Sequence, residues 1–534
     1  MDLITLYGAS NHECTYQRAK LMHGIFATAS RRGTSSHQQN PFFALCSHGA
    51  TEERGEAFGF NLVYSGNFLN EIEMDQFSRI RASVSVGSEG FSYLLTEGEY
   101  FTSPEAILTY SNHGLGGMTR NMHAFIRAHI LPSSALKAHP VVLNTWEACY
   151  FNIDETKLLA FADEAKKIGV DMLVVDDGWF GARNNDCAGL GDWFENREKF
   201  PNGLKFFVNQ IHDRGLQFGI WVEPEMVNPN SELYRAHPDW CLRVQGREPM
   251  LSRNQLVLDM TNQDVIQYLA GQFAKTFDGT DIDYFKWDMN RYLCGVGSMN
   301  LPAERQAEID YRYMKGVYQL LNHFTKLFPN AMIETCSGGG GRYDLGMMCY
   351  GFQIWASDNT DPYARIGIQY GALTAYPPTT MSCHVSNPRG SIESLNYRYQ
   401  VAVGGMLGYE LNILKMSDEV KETIAKQIQE YKSFEHIVRM GDYYRLVSPL
   451  KDEYSAFYYI MPDKSEILLS VLESATCKKK QTKKLKLSAA DPFGEYIDVF
   501  TKKHYSGKEL QKGVCFDLQC ASNSGQLLWL KRLI

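Results

Sequence analysis

From about residue 141 onward, short apolar runs alternate with amphipathic segments of helical length. A strand, a crossover helix and a second strand make a parallel pair, so the alternation predicts repeated βα units. One unit can be followed residue by residue. HPVVLNTWEA precedes DETKLLAFADEAKKIGV, in which Leu158, Phe161, Ala162, Ala165 and Ile168 recur at helical spacing, with Asp154 placed to cap the helix and Gly169 to end it. The following run, VDMLVVDDGWF, is apolar on both faces, as a strand between a barrel interior and its outer helices must be. LQFGIWVEPE, DYFKWD, AMIETCSGG, FQIWASD, TMSCHVS and GGMLGYELNI continue the series to eight strands. Eight such units within residues 141–440 predict an α/β chain built on a (β/α)₈ TIM barrel, with a doubly wound sheet as the alternative. LSRNQLVLDM, although extended in character, reads as part of a long loop after the third strand.

The flanks have a different texture. Residues 1–140 carry short runs such as EAFGFNLVYSG and FSYLLTEGEYF broken by Gly, Asn and Ser, which predicts an all-β segment. In residues 441–534, EYSAFYYIM and EILLSVL predict a C-terminal antiparallel β-sheet domain. A net charge of -8 argues against nucleic acid or an anionic membrane as partner. The local exception, Lys478, Lys479, Lys480, Lys483, Lys484 and Lys486, alternates with Leu485 and Leu487 as a strand with a solvated face does. No apolar run approaches the ~18 residues that cross a bilayer. Twelve cysteines without a CxxC pair, behind an N-terminus lacking a basic start and an apolar core, predict a soluble chain in a reducing cytoplasm.

In a barrel of this type the chemistry sits at the C-terminal ends of the strands. Here Trp146 and Glu147 close the first run, Asp176 and Asp177 the second, Trp221 and Glu223 the third, Lys286 and Asp288 the fourth, Cys336 the fifth and Asp358 the sixth. Any one acidic residue is readily a helix cap or a surface charge; five or six converging on one rim are not. Within FKWDMNR, period-2 alternation puts Tyr284, Lys286 and Asp288 on one face and Phe285 and Trp287 on the other. If that face is the interior, Lys286 favours the ionised form of Asp288, and a sheltered carboxylate is a nucleophile toward an acetal carbon. A structural ion pair is the plainer reading of the same segment. WASDNTD supplies a second carboxylate in Asp358, whereas Asp361 stands where a helix cap would. Two carboxylates facing one cleft are the apparatus of glycoside hydrolysis. Asp176 and Asp177 suit paired sugar hydroxyls, and Trp179 after them suits the apolar face of a sugar ring.

Other chemistries fit less well. No HxH or HExxH pair accompanies the carboxylates, so no metal is expected. SGGGGRYD lacks the ending of a phosphate loop and reads as a turn that lets a ligand approach the backbone. His212, inside a helical segment, reads as structural.

NTWEACYF, DDGWFG, WVEPEMV, SRNQLVLDM, FKWDMNR, ETCSGGGGRYD and WASDNTD, in this order, closely resemble the bacterial α-galactosidases of glycoside hydrolase family 36. RRGTSSHQQNPFFAL and YSGKEL resemble the same family, so the likeness runs over essentially the whole chain. It implies a retaining exo-α-galactosidase acting on melibiose or raffinose-type oligosaccharides without a cofactor, with Asp288 as nucleophile, Asp358 as acid/base and carboxyls about 5 to 5.5 Å apart. It further implies that Asp176 and Asp177 hold the hydroxyls remote from the anomeric carbon, and that Trp146, Trp221, Arg253, Lys286, Cys336 and Gly339 complete the sugar pocket. MDLITLYGASNHE resembles a point well inside the family's longer N-terminal sandwich, which implies a shortened domain here; the family's tetramers imply a homo-oligomer. The rival readings are a transglycosylase of the same clan, a non-catalytic sugar-binding barrel and a Schiff-base aldolase using Lys286.

Overall fold

Eight parallel strands close on themselves: Val142–Asn144, Met172–Val175, Gln217–Val222, Tyr284–Trp287, Met332–Thr335, Gln353–Trp355, Met381–Ser386 and Met406–Glu410, the last pairing with the first. The structure is a computed structural model that describes residues 1–386, 391–477, 479–521 and 523–533. The predicted barrel is therefore the fold, and the doubly wound alternative is excluded. In the helix Glu155–Lys167, the Asp154 side chain accepts from the Lys157 amide, and Gly169 follows with φ +87°, a left-handed conformation that favours glycine.

The alternation in FKWDMNR is what the barrel uses. Tyr284 packs inward with Val142, Met172, Val174 and Phe352, whereas Phe285 and Trp287 point outward onto Phe324 of the helix Ile309–Leu327, with ring centroids 5.3 and 5.1 Å away. Every aromatic or charged side chain on this strand has its direction fixed by that choice.

N-terminal to the barrel lie a five-stranded sheet, ordered Thr15–Lys20, Asp2–Tyr7, Gln39–Cys46, Ala57–Leu62, Ala106–Ser111, and a three-stranded sheet of Gly24–Ala29, Phe68–Met74 and Ile80–Val86. EAFGFNLVYSG contains one of these strands, but FSYLLTEGEYF forms none. Its rings are used differently: Phe91, Tyr93 and Phe101 gather around Tyr311 of a barrel helix, with centroids 4.9 to 6.1 Å from it. Aromatic packing onto the barrel takes the place of a sheet edge. The loop after the third barrel strand carries the small pairing of Leu256–Val257 with Met226–Val227, as the reading of LSRNQLVLDM as loop requires.

C-terminal to the long helix Asp418–Met440 is a six-stranded antiparallel sheet, with a separate antiparallel pair of Gln481–Leu485 and Val514–Leu518. There Lys484 and Lys486 are exposed and Leu485 and Leu487 buried, the predicted alternation; Lys478 lies outside the described residues. The expectation of unpaired cysteines fails at one place. Cys477 and Cys520 are disulfide-bonded at the edge of this domain, where the two strands of the pair begin and end, a juxtaposition made by strand pairing and not by sequence spacing. Among the described residues no helix is long and apolar enough to cross a membrane.

Candidate active site

At the C-terminal end of the barrel a cavity of about 250 Å³ collects side chains from nearly every strand end. Trp146, Asp176, Asp177, Trp221, Arg253, Lys286, Asp288, Cys336 and Asp358 all line it. Gly339 is not on its surface but directly behind it: a Cβ there would lie 2.9 Å from the Asp358 amide nitrogen, and its φ of +86° favours glycine in any case. Trp179 does not face the cavity. It is fully buried, donating to the Trp221 carbonyl at 2.8 Å among Phe180, Trp193 and Phe277, so its contribution is to hold Trp221 in place. Asp361 caps the helix Pro362–Ala375, and His212 binds Asp283 at 2.8 Å away from the cavity, both as expected. A larger groove of about 780 Å³ on the outside of the barrel, between Gln263 and Lys326, is lined by no acidic side chain.

Asp288 stands one residue beyond its strand and accepts four hydrogen bonds: from the amides of Met289 and Gly338 at 2.8 and 3.1 Å, the Asn290 side chain at 2.6 Å and the Trp221 indole at 3.2 Å. Burial alone raises the pKa of such a group. Here the positive charge of Lys286, the nearby Cys336 side chain and the donors from Gly338 and Asn290 more than offset it, so Asp288 is held below the ordinary carboxylate range. Asp358 has the opposite balance. It accepts one bond, from the Trp355 indole at 2.8 Å, and burial together with the charge of Asp288 pushes it up to about 6. One carboxylate is held toward its ionised form and the other is raised toward its protonated form, the division of roles that acid-assisted attack needs.

Lys286 favours the ionised form of Asp288, as expected, but the plainer reading of a direct ion pair between the two is corrected by the geometry. Its ammonium bonds Asp176, Nζ to Oδ2 at 2.8 Å, and its influence on Asp288 is through the field. Alternate residues on a strand are about 7 Å apart, and a long side chain reaches more easily across the barrel mouth than along its own strand. Asp176 is further held by the Asn144 side chain at 2.8 Å. Asp177 is gripped by Arg183, whose Nε lies 2.9 Å from Oδ1 and whose second nitrogen lies 2.7 Å from Oδ2. A planar guanidinium on both oxygens fixes the carboxylate's plane, which a lysine could not do.

Replacing Lys286 with Met leaves a buried carboxylate at Asp176 without its counter-charge. Such a break costs about 3 to 5 kcal/mol, so we expect a lower unfolding midpoint together with a loss of turnover, measured by thermal denaturation and initial rates. Unchanged stability in K286M would show that Asp176 finds its compensation elsewhere.

Sequence reasoning missed several lining residues. Arg183, Asn290, Trp355 and Glu410 line the cavity, as does Glu147, and Asn144 stands behind it on Asp176. Glu147 and Glu410 are each raised to about 7, first by burial and, for Glu147, next by the charge of Glu410. Glu223 lies beneath, binding the Gln255 side chain at 2.9 Å and the Asn290 amide, and burial raises it to about 8. The signal that could have found Glu410 was present: it ends the eighth strand as Asp176 follows the second.

Residues 100–441 match the Melibiase family, and residues 1–96 match the glycosyl hydrolase family 36 N-terminal domain. The chain is 43% identical over 514 residues to alpha-galactosidase AgaA of Geobacillus stearothermophilus, covering 95% of this chain and 70% of that one. It is 42% identical over 516 residues to alpha-galactosidase 1 of Pediococcus pentosaceus, covering 96% and 70% respectively. A crystal structure of an AgaA variant in complex with raffinose superposes with a TM-score of 0.97 at 41% identity, over 100% of this chain and 75% of that one.

Proposed function

The chain belongs to glycosyl hydrolase family 36 and is an α-galactosidase, and from the arrangement of its cavity we propose that it removes terminal α-galactose from oligosaccharides such as melibiose and raffinose with retention of configuration. In this reading a carboxylate oxygen of Asp288 attacks the anomeric carbon as the bond to the leaving oxygen breaks, and Asp358 gives that oxygen its proton. Asp358 then takes a proton from water as the water attacks the same carbon, releasing α-galactose and restoring the Asp288 carboxylate.

The single observation that carries the proposal is the opposed setting of two carboxyls in one small cavity: Asp288 held low under four donors, Asp358 held up to about 6 under one. The cavity is below the ~300 Å³ from which drug-sized ligand sites begin, which suits a single ring entering end-on and an exo mode of attack. Arg183 with Asp177, and Lys286 with Asp176, offer fixed acceptors and a donor to the ring hydroxyls. The raffinose complex of the AgaA variant supports raffinose-type substrates.

Proton NMR during hydrolysis of an aryl α-galactoside tests the stereochemistry. We expect the α anomer of galactose to appear first and the β anomer only by mutarotation; β-galactose as the first product would sink the double-displacement reading. Aryl β-galactosides should not be cleaved.

A further inference from the structure

Glu13 lies in the turn between the N-terminal strands Asp2–Tyr7 and Thr15–Lys20, yet it is packed against the barrel. Its side chain is 1% exposed. Oε1 accepts from the Asn11 amide at 3.1 Å and lies 3.8 Å from Nε2 of His37, while Oε2 has no hydrogen-bond partner among the described residues. A buried carboxylate oxygen left without a donor is costly and calls for a reason.

The reason lies in what Glu13 faces. A Cβ on Gly339 would stand 2.7 Å from Oε1 of Glu13 and 2.9 Å from the amide nitrogen of Asp358, and one on Gly340 would stand 3.3 Å from Cγ of Glu13. This carboxylate and the segment bearing Asp358 therefore lie against the same glycine, which has no side chain to part them. The same N-terminal turn grips that segment directly, the Asn11 carbonyl accepting from the Asn359 side chain at 3.1 Å.

We propose that Glu13 is a positioning residue for the reaction, a buried carboxylate set behind the glycine turn that acts on Asp358 through its negative charge and holds the turn closed beneath it. This rests on Asp358 being the acid/base. The other groups that face Asp358 are Asp288 and Lys286 from the fourth strand and Cys336 from the fifth, with Glu147 and Glu410 across the cavity; Glu13 itself is faced by His37, Cys14 and Tyr292. Of these, Asp288 and Glu13 resist ionisation of Asp358 and Lys286 favours it. Replacing Glu13 removes one resisting charge and leaves the rest in place.

Glu13→Gln keeps the shape and removes the charge. In the full chain, the alkaline limb of kcat/KM for melibiose should move to lower pH by about half a unit or more. Above that limb melibiose hydrolysis falls several-fold, while cleavage of 2,4-dinitrophenyl α-galactoside, whose leaving group needs no proton, holds. A purely structural role would depress both substrates alike and leave the limb where it was, and that result overturns the proposal. Glu13→Asp, which retains the charge but draws it back by one methylene, should shift the limb less and in the same direction; it carries the test if E13Q does not fold. Asp358→Asn in parallel separates the two readings: if that variant keeps melibiose turnover and the limb, the assignment of Asp358 has failed, whereas an inactive D358N beside an unmoved limb in E13Q removes only Glu13.

Discussion

Asp288→Gly is expected to lose hydrolysis of α-galactosides by about 10⁴- to 10⁶-fold, the scale on which removal of a nucleophile is felt, and to recover turnover of an activated aryl α-galactoside when azide is added. Glycine is chosen because it leaves a hole where the carboxylate stood. The donors that held it, from Met289, Gly338, Asn290 and Trp221, remain pointing into that hole and can receive a small anion. Azide attacking from there displaces the leaving group once, so the product is β-galactosyl azide, identified by its anomeric coupling constant. Persistent hydrolysis without azide, or absence of this product, would show that Asp288 is not the nucleophile. The same variant is expected to bind galactose still, because Asp176, Asp177 and Lys286 are untouched; calorimetry on it would separate loss of chemistry from loss of the pocket.

What could be read in advance followed from periodicity, and what could not followed from closure. Strand alternation put Lys286 and Asp288 on one face and Phe285 and Trp287 on the other without any knowledge of neighbours, because side-chain alternation is a property of the strand; which face is the interior is set by the barrel. The partner of Lys286 was not readable in that way. Its register neighbours are Trp221 and Glu334, and its actual partner, Asp176, comes from a strand that does not touch its own. Arg183 lies in the loop after the second strand, where nothing in GARNNDC distinguishes a buried clamp from a surface arginine. Glu410 becomes a neighbour of Glu147 only because the eighth strand closes on the first. Trp179 escaped for a related reason: following two acidic residues, it suits a sugar site, but the barrel turns its ring into the aromatic layer behind Trp221. Glu13 is the extreme case, since a residue from a separate domain reaches the site only through docking that no local pattern encodes.

The second large effect should come from Asp358→Asn, and it should depend on the leaving group. In the native chain Asp358 must be protonated to assist departure, and burial with the charge of Asp288 places its pKa at about 6. The protonated fraction falls tenfold per unit above that value, so kcat/KM for melibiose should decline on the alkaline side of about 6, while depressed Asp288 remains ionised far below it. The carboxamide of D358N has no acidic proton to give at any pH. Melibiose hydrolysis should therefore drop by about 10²- to 10⁴-fold and lose its alkaline limb, whereas the first turnover of 2,4-dinitrophenyl α-galactoside should be nearly normal, since dinitrophenolate leaves unassisted. Its second step lacks a base for water, so the galactosyl intermediate on Asp288 accumulates as a burst of dinitrophenol. Azide needs no base and should discharge that intermediate from the face the leaving group vacated, giving α-galactosyl azide. The two variants are thus predicted to yield opposite anomers of one product, and the anomer reports on which side of C1 each carboxylate stands. A uniform loss across leaving groups in D358N would take the acid/base role away from Asp358 and direct attention to the other raised carboxyls of the cavity, Glu147 and Glu410.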